Sequence, residues 1–313
     1  MKKLSLIAIL TIPAFVGLAA CQTRTAPEVL ASTFEGLGAQ YDCVTHQGRA
    51  RCAYVVAPQT SPKGMILALH PAFHSVARTE DIAQFAPKAV AAGYVVLFAE
   101  GIDKQWNDGR HAEEAQTFAE GIDDTGFLEK LVKKYQQKYN LTPAQTLSMG
   151  MSNGGMMTMR LLCQSEAVGA GVAVVANLPK GLSCTASPKP LTLVFGREDD
   201  VVKYAGGALS RTPTSWGEVE SAKVTEAWFA ARNGCTKPTT TRLDAIDDGT
   251  VALRRDYACV KAPLIVYDVA GMGHTWPSEP TKLYARLTGR GRITEELDGS
   301  DIVLNAAHQW LSN

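Results

Sequence analysis

The 313-residue sequence has no excess of charge of either sign and no long basic run. Its 31 Lys and Arg residues balance 31 Asp and Glu residues, which gives a formal net charge of +0. Because nucleic-acid binding requires a concentrated positive field, we expect no nucleic-acid partner. The sequence also contains no C-x-x-C pair and no cluster of His and Cys, so we expect no metal site. It has no internal repeat, and its length suits one large domain with a buried core.

The longest apolar run lies at the N-terminus and is short for a membrane-spanning helix. Lys2 and Lys3 precede the run, which extends from Leu4 to Leu18 and is interrupted by Pro13. A positively charged start followed by an apolar run of this length is typical of a secretory signal peptide. We predict this signal peptide over residues 1–20.

Leu18-Ala19-Ala20-Cys21 resembles the lipobox of bacterial lipoproteins, in which the cysteine is lipidated and becomes the first residue of the mature chain. The resemblance implies that acyl chains on Cys21 anchor the protein to a membrane surface. Since Gln22 is not an aspartate, the family's sorting rule favours the outer membrane of a Gram-negative cell. Residues 21–33 would then form a flexible tether. The alternative is an ordinary signal peptide cleaved near Ala20, which gives an extracellular protein.

The cysteine content agrees with export to an oxidising compartment. Seven cysteines minus Cys21 leave six, an even number. Pairing of nearest neighbours, one of fifteen possible arrangements, predicts three structural disulfides. These are Cys43–Cys52, Cys163–Cys184 and Cys235–Cys259.

Short apolar runs alternate with helix-like stretches through the rest of the chain. Continuous runs rich in β-branched residues suit strands that are buried on both faces of a mostly parallel sheet. The predicted strands are Ala53–Ala57, Met65–His70, Tyr94–Ala99, Thr146–Met151, Gly171–Ala176, Leu191–Gly196 and Leu264–Val269. The predicted helices are Ile82–Ala92, Gly126–Tyr139, Asn153–Gln164, Ala222–Arg232 and a last helix from Ser300 to about Leu311. We therefore predict a single α/β domain over residues 34–313, with a twisted, mostly parallel sheet and helices on both faces.

The strongest local motif is Gly150-Met151-Ser152-Asn153-Gly154, a G-x-S-x-G sequence between a predicted strand and a predicted helix. In the α/β-hydrolase fold this strand–turn–helix context places a nucleophilic serine on a sharp turn. The flanking glycines permit the close approach of strand and helix that such a turn requires. The motif predicts Ser152 as nucleophile and the backbone N–H of Asn153 as an oxyanion-hole donor. The alternative is a glycine-rich loop with a capping serine.

In this fold an acid and then a histidine follow the serine in the sequence. Three adjacent carboxylates follow the predicted strand that ends at Gly196, and we choose Asp199, with Asp200 as the alternative. Of the six histidines, His274 and His308 lie after this acid. His308 falls within the predicted last helix, whereas His274 lies in a loop directly after a predicted strand. We therefore predict His274 as the general base.

These motifs together resemble the esterase family of extracellular polyhydroxybutyrate depolymerases and feruloyl or acetylxylan esterases, which includes lipoprotein members. The resemblance extends from about Gly64 to about Ser278. Its specific parts are Gly150 to Met156, Phe195 to Tyr204, and Gly273-His274-Thr275-Trp276-Pro277. It implies an α/β-hydrolase fold, Asp199 as the triad acid, and hydrolysis of carboxylic esters, polymeric ones included, through an acyl-serine intermediate. It implies no metal and no cofactor.

One stretch departs from the family pattern. Family members usually carry a His-Gly pair at the end of the strand that supplies the second oxyanion donor, and here His70 is followed by Pro71. Proline has no N–H to donate, so the donor would be the amide of Ala72 or of Phe73, and we expect Ala72. We expect His70 and His74 to form the opposite wall of the site.

The substrate is the least determined part of the prediction. Phe73, Trp106 and Trp276 are candidates for an aromatic wall that contacts a phenolic acyl group or a polyester segment, and core packing is the alternative for each. Two other functions remain open. One is a catalytically weak surface-binding lipoprotein on a hydrolase fold, suggested by Pro71, and the other is an acyltransferase that uses the same triad.

Overall fold

The computed structural model describes residues 32–209, 216–280, 285 and 288–311. The predicted signal peptide (1–20) and the lipidation residue Cys21 lie outside the described residues, as does most of the predicted tether. The last two tether residues, 32 and 33, begin a short helix. Within the described ranges, no helix is long and apolar enough to cross a membrane.

The strands and helices alternate along the chain as the sequence predicts. The strands are β1 (Gln40–His46), β2 (Arg49–Val56), β3 (Gly64–Leu69), β4 (Tyr94–Ala99), β5 (Thr146–Met151), β6 (Ala170–Val174), β7 (Leu191–Gly196), β8 (Gly207–Ala208), β9 (Glu218–Val219), β10 (Thr239–Leu243), β11 (Val251–Tyr257) and β12 (Leu264–Ala270). The α-helices are α1 (Ser32–Glu35), α2 (Val76–Ala83), α3 (Ala86–Ala91), α4 (Gln116–Ala119), α5 (Asp124–Tyr139), α6 (Asn153–Gln164), α7 (Ala222–Asn233) and α8 (Gly299–Trp310).

The main sheet has 10 strands in the order β1-β2-β4-β3-β5-β6-β7-β12-β11-β10. Its centre, from β4 to β12, is parallel, and the strands at both edges pair antiparallel. Strands β8 and β9 form a separate small ribbon. The fold class is therefore confirmed as mostly parallel α/β. The carboxyl ends of the parallel strands meet at one edge of the sheet, where ligands bind in such folds.

Helices cover both faces of the sheet, as predicted. Successive side chains of β3 point to opposite faces, so Leu67 packs in one core with residues of α5 and α6. Its neighbour Ile66 packs in a second core with residues of α2, α3 and α8. Both side chains are fully buried, which explains why the central strands have continuous apolar sequences.

The edge strands β1 and β10, and β11 next to β10, were absent from the prediction. Most residues of β10 are exposed, and its sequence Thr-Thr-Thr-Arg-Leu is mostly polar. Strand β1 likewise contains one buried residue, Val44. A strand whose side chains are mostly exposed to solvent lacks the continuous apolar pattern on which the prediction of strands depended.

The helix predicted over Ile82–Ala92 is two helices, α2 and α3. Gln84 between them has a left-handed backbone with φ 47°, and Pro87 lies in the first turn of α3. A helix that precedes a proline rarely continues through it, because proline lacks the N–H and disfavours the helical conformation of the preceding residue. The apolar periodicity of this stretch is continuous, so it did not reveal the break between α2 and α3.

All three predicted disulfides are confirmed. Cys43 and Cys52 lie directly opposite each other on β1 and β2. Cys163 at the end of α6 is joined to Cys184, and Cys235 after α7 is joined to Cys259 after β11. Each disulfide therefore fastens a peripheral segment, and none lies at the predicted catalytic residues.

Candidate active site

Ser152 occupies a strained turn between β5 and α6. Its backbone has φ 55° and ψ −123°, a conformation that is rare for any residue with a Cβ atom. The Ser152 N–H donates to the carbonyl of Val174 at 2.9 Å, and its own carbonyl accepts from Met156 N–H at 2.9 Å. Such strain persists only where the surrounding structure over-determines it, and it is concentrated at functional sites.

The glycines on either side of Ser152 make this turn possible. A Cβ atom on Gly150 would lie 2.3 Å from backbone atoms of Gly154, and one on Gly154 would lie 2.2 Å from the Leu69 carbonyl oxygen. Backbone atoms of packed strands cannot move away as a flexible side chain can. Strands β3 and β5 and helix α6 therefore meet at a distance that only glycine permits, as the motif predicts.

His274 and Asp199 are in direct contact. The His274 Nδ1 atom lies 2.7 Å from the Asp199 Oδ2 atom, and both side chains are buried. The other carboxylate oxygen of Asp199 accepts from the N–H groups of Val201 and Val202, each at 2.8 Å. Three contacts thus fix the carboxylate, and the carboxylate in turn fixes the orientation of the imidazole.

The alternatives to this pair lie elsewhere. Asp200 is exposed. His308 is exposed on α8, where its ring lies 5.6 Å from the ring of Tyr94. Neither residue lines the cavity that Ser152 and His274 line.

Ser152 and His274 line the same cavity, which has a volume of about 430 Å³. The hydrogen bonds of the described residues do not include one between the Ser152 hydroxyl and the imidazole. Such bonds are often long in unliganded enzymes and shorten when substrate binds. The lining residues are Pro71, Ala72, Phe73, His74, Arg110, Met151, Ser152, Asn153, Val201, Val202, Leu209, Trp216, His274 and Arg290.

The two residues predicted to supply the oxyanion-hole amides, Asn153 and Ala72, both line the cavity. Asn153 is the first residue of α6, so its N–H belongs to the positive end of the helix. Its side chain bonds the adjacent loop, accepting from Trp106 N–H at 2.8 Å and donating to Asp108 at 2.6 Å. Ala72 lines the cavity, whereas the Phe73 N–H already donates to the Lys104 carbonyl at 2.9 Å. Of the two amides considered for the second donor, Ala72 is therefore the better placed.

The three aromatic candidates separate into two groups. Phe73 is 61% exposed and lines the cavity, with its ring 5.3 Å from that of Trp216 in an edge-to-face arrangement. Trp106 is buried, and its Nε1–H donates to the His70 carbonyl at 3.0 Å. Trp276 is buried against the first residue of α8, Gly299. Trp106 and Trp276 are not among the residues that line the cavity, and both pack in the hydrophobic cores, which favours the alternative of core packing over substrate contact for these two.

Comparison with known proteins identifies the family. Residues 52–211 match the dienelactone hydrolase family. The chain belongs to this family. Feruloyl esterase B of Piromyces equi is 28% identical over 182 residues, which are 55% of this chain and 33% of that protein. The chain thus spans about a third of that relative's length.

A second relative aligns with this dienelactone hydrolase family member over a larger share of both chains. The putative esterase NocK of Nocardia uniformis subsp. tsuyamanensis is 25% identical over 248 residues, 74% of this chain and 72% of that protein. The solved acetyl xylan esterase from Aspergillus awamori has a TM-score of 0.54 at 13% identity, covering 81% of this chain and 99% of its own. The latter likeness supports the α/β-hydrolase fold. The family and the two sequence relatives support the predicted enzyme class, a carboxylic ester hydrolase.

Two arginines that were not predicted, Arg110 and Arg290, also line the cavity of this family member. The Arg110 Nε atom lies 3.3 Å from Asp108, and Arg290 donates to Glu279 at 2.9 Å. His74 lines the cavity as expected, and burial together with the charge of Arg290 lowers its pKa to about 4, so that it is neutral at pH 7. No motif marked the two arginines, because their convergence depends on loops that are 180 residues apart in the sequence.

His70, by contrast, does not line the cavity. Its Nδ1–H donates to the Pro71 carbonyl at 2.9 Å, and its Nε2 accepts from Gly101 N–H at 2.9 Å. Burial lowers the pKa of His70 to about 4, so this imidazole is neutral at pH 7. His70 therefore stabilises the loop of Pro71 through these two hydrogen bonds and does not contact the cavity.

Proposed function

We propose that the protein hydrolyses carboxylic esters through an acyl-serine intermediate. The Ser152 hydroxyl attacks the ester carbonyl carbon while His274 accepts the serine proton, and the protonated imidazole then gives that proton to the leaving alkoxide. Water, deprotonated by His274, hydrolyses the acyl-serine, which releases the acid and restores the hydroxyl. Asp199 orients the imidazole through the 2.7 Å contact with Nδ1, so that Nε2 remains for proton transfer.

The observation that carries this proposal is the meeting of two features at one cavity. One is the strained backbone of Ser152, and the other is the buried His274–Asp199 pair. The backbone amides of Asn153 and Ala72 are the proposed oxyanion donors. Each such donor contributes about 10²–10³-fold to turnover in enzymes of this kind.

The decisive experiment replaces Ser152 by alanine and measures hydrolysis of a chromogenic short-chain ester. We expect turnover to fall by about 10⁴-fold or more, since the remaining groups have no nucleophile to activate. Ser183→Ala, at an exposed serine outside the cavity, is the matched control and should retain full activity. Activity that survives Ser152→Ala would refute the proposal.

Two further measurements address the alternative functions. A serine-directed phosphonate should label the wild-type protein and leave Ser152→Ala unlabelled. An inert wild-type protein would favour a surface-binding role on an inactive hydrolase fold. Product analysis with and without acceptor alcohols separates hydrolysis from acyl transfer, since a transferase would form a new ester in preference to the free acid.

The cavity lining supports an ester with a bulky acyl group. Phe73 and Trp216 flank the cavity with aromatic rings, and Val202 and Leu209 add apolar surface. We therefore propose feruloyl-type or hydroxyalkanoate-type esters, polymers included, as better substrates than acetyl esters. A panel of feruloyl esters, hydroxyalkanoate oligomers and acetylated sugars at equal concentration tests this order. A preference for acetylated sugars would contradict it.

We also propose that the chain is an exported lipoprotein with a single catalytic domain over residues 34–313. The three disulfides support an oxidising compartment. Membrane attachment would depend on Cys21, so Cys21→Ser should move the protein from the membrane fraction to the soluble fraction. Mass spectrometry of the mature N-terminus distinguishes a lipidated Cys21 from simple cleavage near residue 20.

A further inference from the structure

Asp268 binds both ends of the loop that carries Asp199. Arg197, two residues before Asp199, donates to it through Nε at 2.7 Å and through a terminal guanidinium nitrogen at 3.0 Å. The hydroxyl of Tyr204, five residues after Asp199, donates to the same carboxylate at 3.0 Å. The Asp268 side chain itself is 3% exposed.

The same strand leads to the general base. Asp268 lies near the end of β12, six residues before His274, and β12 pairs in parallel with β7, which leads to Asp199. Beyond the strands the pairing continues, because the Glu198 N–H donates to the Met272 carbonyl at 3.0 Å. The loops of acid and base are therefore joined at several points, and Asp268 is the side chain that contacts the acid loop on both sides of Asp199.

Asp268 is held as a buried anion. Burial by itself would raise the pKa of Asp268, but the hydrogen bond from Arg197 and the positive charge of Arg255 outweigh this effect and keep its pKa below the ordinary range. Arg255 lies 3.1 Å from Asp268 and donates twice to Glu226 at 2.6 Å. A paired, hydrogen-bonded anion of this kind has a defined position, which suits it to fix other groups.

We propose that Asp268 is a positioning residue for the catalytic pair: it holds the two ends of the Asp199 loop against the strand that carries His274, and thereby sets the contact between Asp199 and His274. This inference rests on the proposed serine-esterase function. Asp268 is outside the cavity lining and acts through Arg197 and Tyr204.

The test compares Asp268→Asn with the wild-type full chain on a chromogenic ester. We expect kcat to fall by about 10- to 100-fold with little change in KM, because a small displacement of the catalytic groups weakens proton transfer more than substrate binding. We also expect the acidic limb of the pH profile of kcat/KM to move to lower pH, since a loosely held Asp199 stabilises the His274 imidazolium less. His74 and Arg290, which also face the cavity, are unchanged in this variant.

Asp256→Asn is the matched control. Asp256 lies on the neighbouring strand β11, pairs with Arg254 at 2.8 Å, and contacts neither catalytic loop. Its kcat and pH profile should equal those of the wild type.

Removal of one partner from a buried ion pair can prevent folding, so a milder variant completes the test. Tyr204→Phe removes one hydrogen bond to Asp268 and keeps the Arg197 pair, and we expect kcat to fall by about 3- to 10-fold. Wild-type kcat and pH profile in a folded Asp268→Asn or in Tyr204→Phe would overturn the inference. The proposed function would still stand in that case, because it depends on Ser152→Ala.

Discussion

Glu80 offers a quantitative test of how burial controls stability in this fold. The side chain lies on α2 and is 4% exposed. One carboxyl oxygen accepts from Ala86 N–H at 2.8 Å, and the other is buried without a hydrogen-bond partner among the described residues. Burial raises the pKa of Glu80 from 4.5 to about 7, although hydrogen bonds from the amides of Ala86 and Phe85 oppose the rise.

The sign of the effect follows from proton linkage. The folded protein binds the Glu80 proton more tightly than the unfolded chain does, so this group's contribution to stability is fully present below pH 4.5. That contribution is lost as the pH rises through about 7. The difference between the two pKa values corresponds to roughly 3 kcal/mol, at about 1.36 kcal/mol for each pH unit.

Glu80→Gln mimics the protonated form at every pH. The amide keeps an oxygen for the Ala86 N–H and carries no charge. We expect the variant to be more stable than wild type by about 1 kcal/mol at pH 5, where the carboxyl of the unfolded chain is already mostly ionised, and by roughly 3 kcal/mol at pH 8. For a domain of this size, that gain raises Tm by about 6–12 °C.

Urea unfolding with intact disulfides, followed by circular dichroism at several pH values, measures this difference. Glu114→Gln removes an exposed carboxylate and should leave the pH dependence of unfolding unchanged. A Glu80→Gln variant that is no more stable than wild type at pH 8 would refute the reasoning. So would a stability difference that is the same at pH 5 and pH 8.

Three further predictions concern the site. Asp199→Asn should lower kcat by about 10⁴-fold because the imidazole loses its orienting partner, while Asp200→Asn should have little effect; equal losses in steady-state kinetics would contradict the assignment of the acid. Gly154→Ala should abolish activity and lower the yield of folded protein, since the new Cβ would lie 2.2 Å from a backbone oxygen, whereas Gly36→Ala, with nothing within 4 Å, should be neutral in unfolding assays. Phe73→Ala should raise KM for aryl esters more than for acetyl esters, and an equal rise for both would argue against substrate contact at this ring.

The parts of the fold that the sequence predicts are those whose cause is local or repeated. Central strands such as Tyr94–Ala99 are buried on both faces, so every residue is apolar and the signal is continuous. The turn at Ser152 is predictable because its glycines adjoin it in the sequence. Strand β10 could not be predicted in the same way, since pairing with β11 defines it and little burial accompanies that pairing.

The wall of the cavity was predictable only in part, for a related reason. Trp106 and Phe73 are both large aromatic residues in loops near the predicted site, and composition alone does not separate them. Their positions differ because Trp106 is buried and forms hydrogen bonds with Asn153 and His70, while Phe73 lies in a turn where its own backbone has φ 66°. These contacts join distant parts of the chain, and no sequence period records them.

The parallel pairing of β7 with β12 has a consequence for how such an enzyme can diversify. Gly196 lies opposite Val269, although about 70 residues separate the two strands in the chain. The intervening segment carries Asp199 at its start, makes an excursion that supplies Leu209 and Trp216 to the cavity, and later forms strands β10 and β11 of the same sheet. Under the proposed function, grafting or shortening that excursion should alter which acyl groups the cavity admits, while the paired strand ends keep Asp199 and His274 in register.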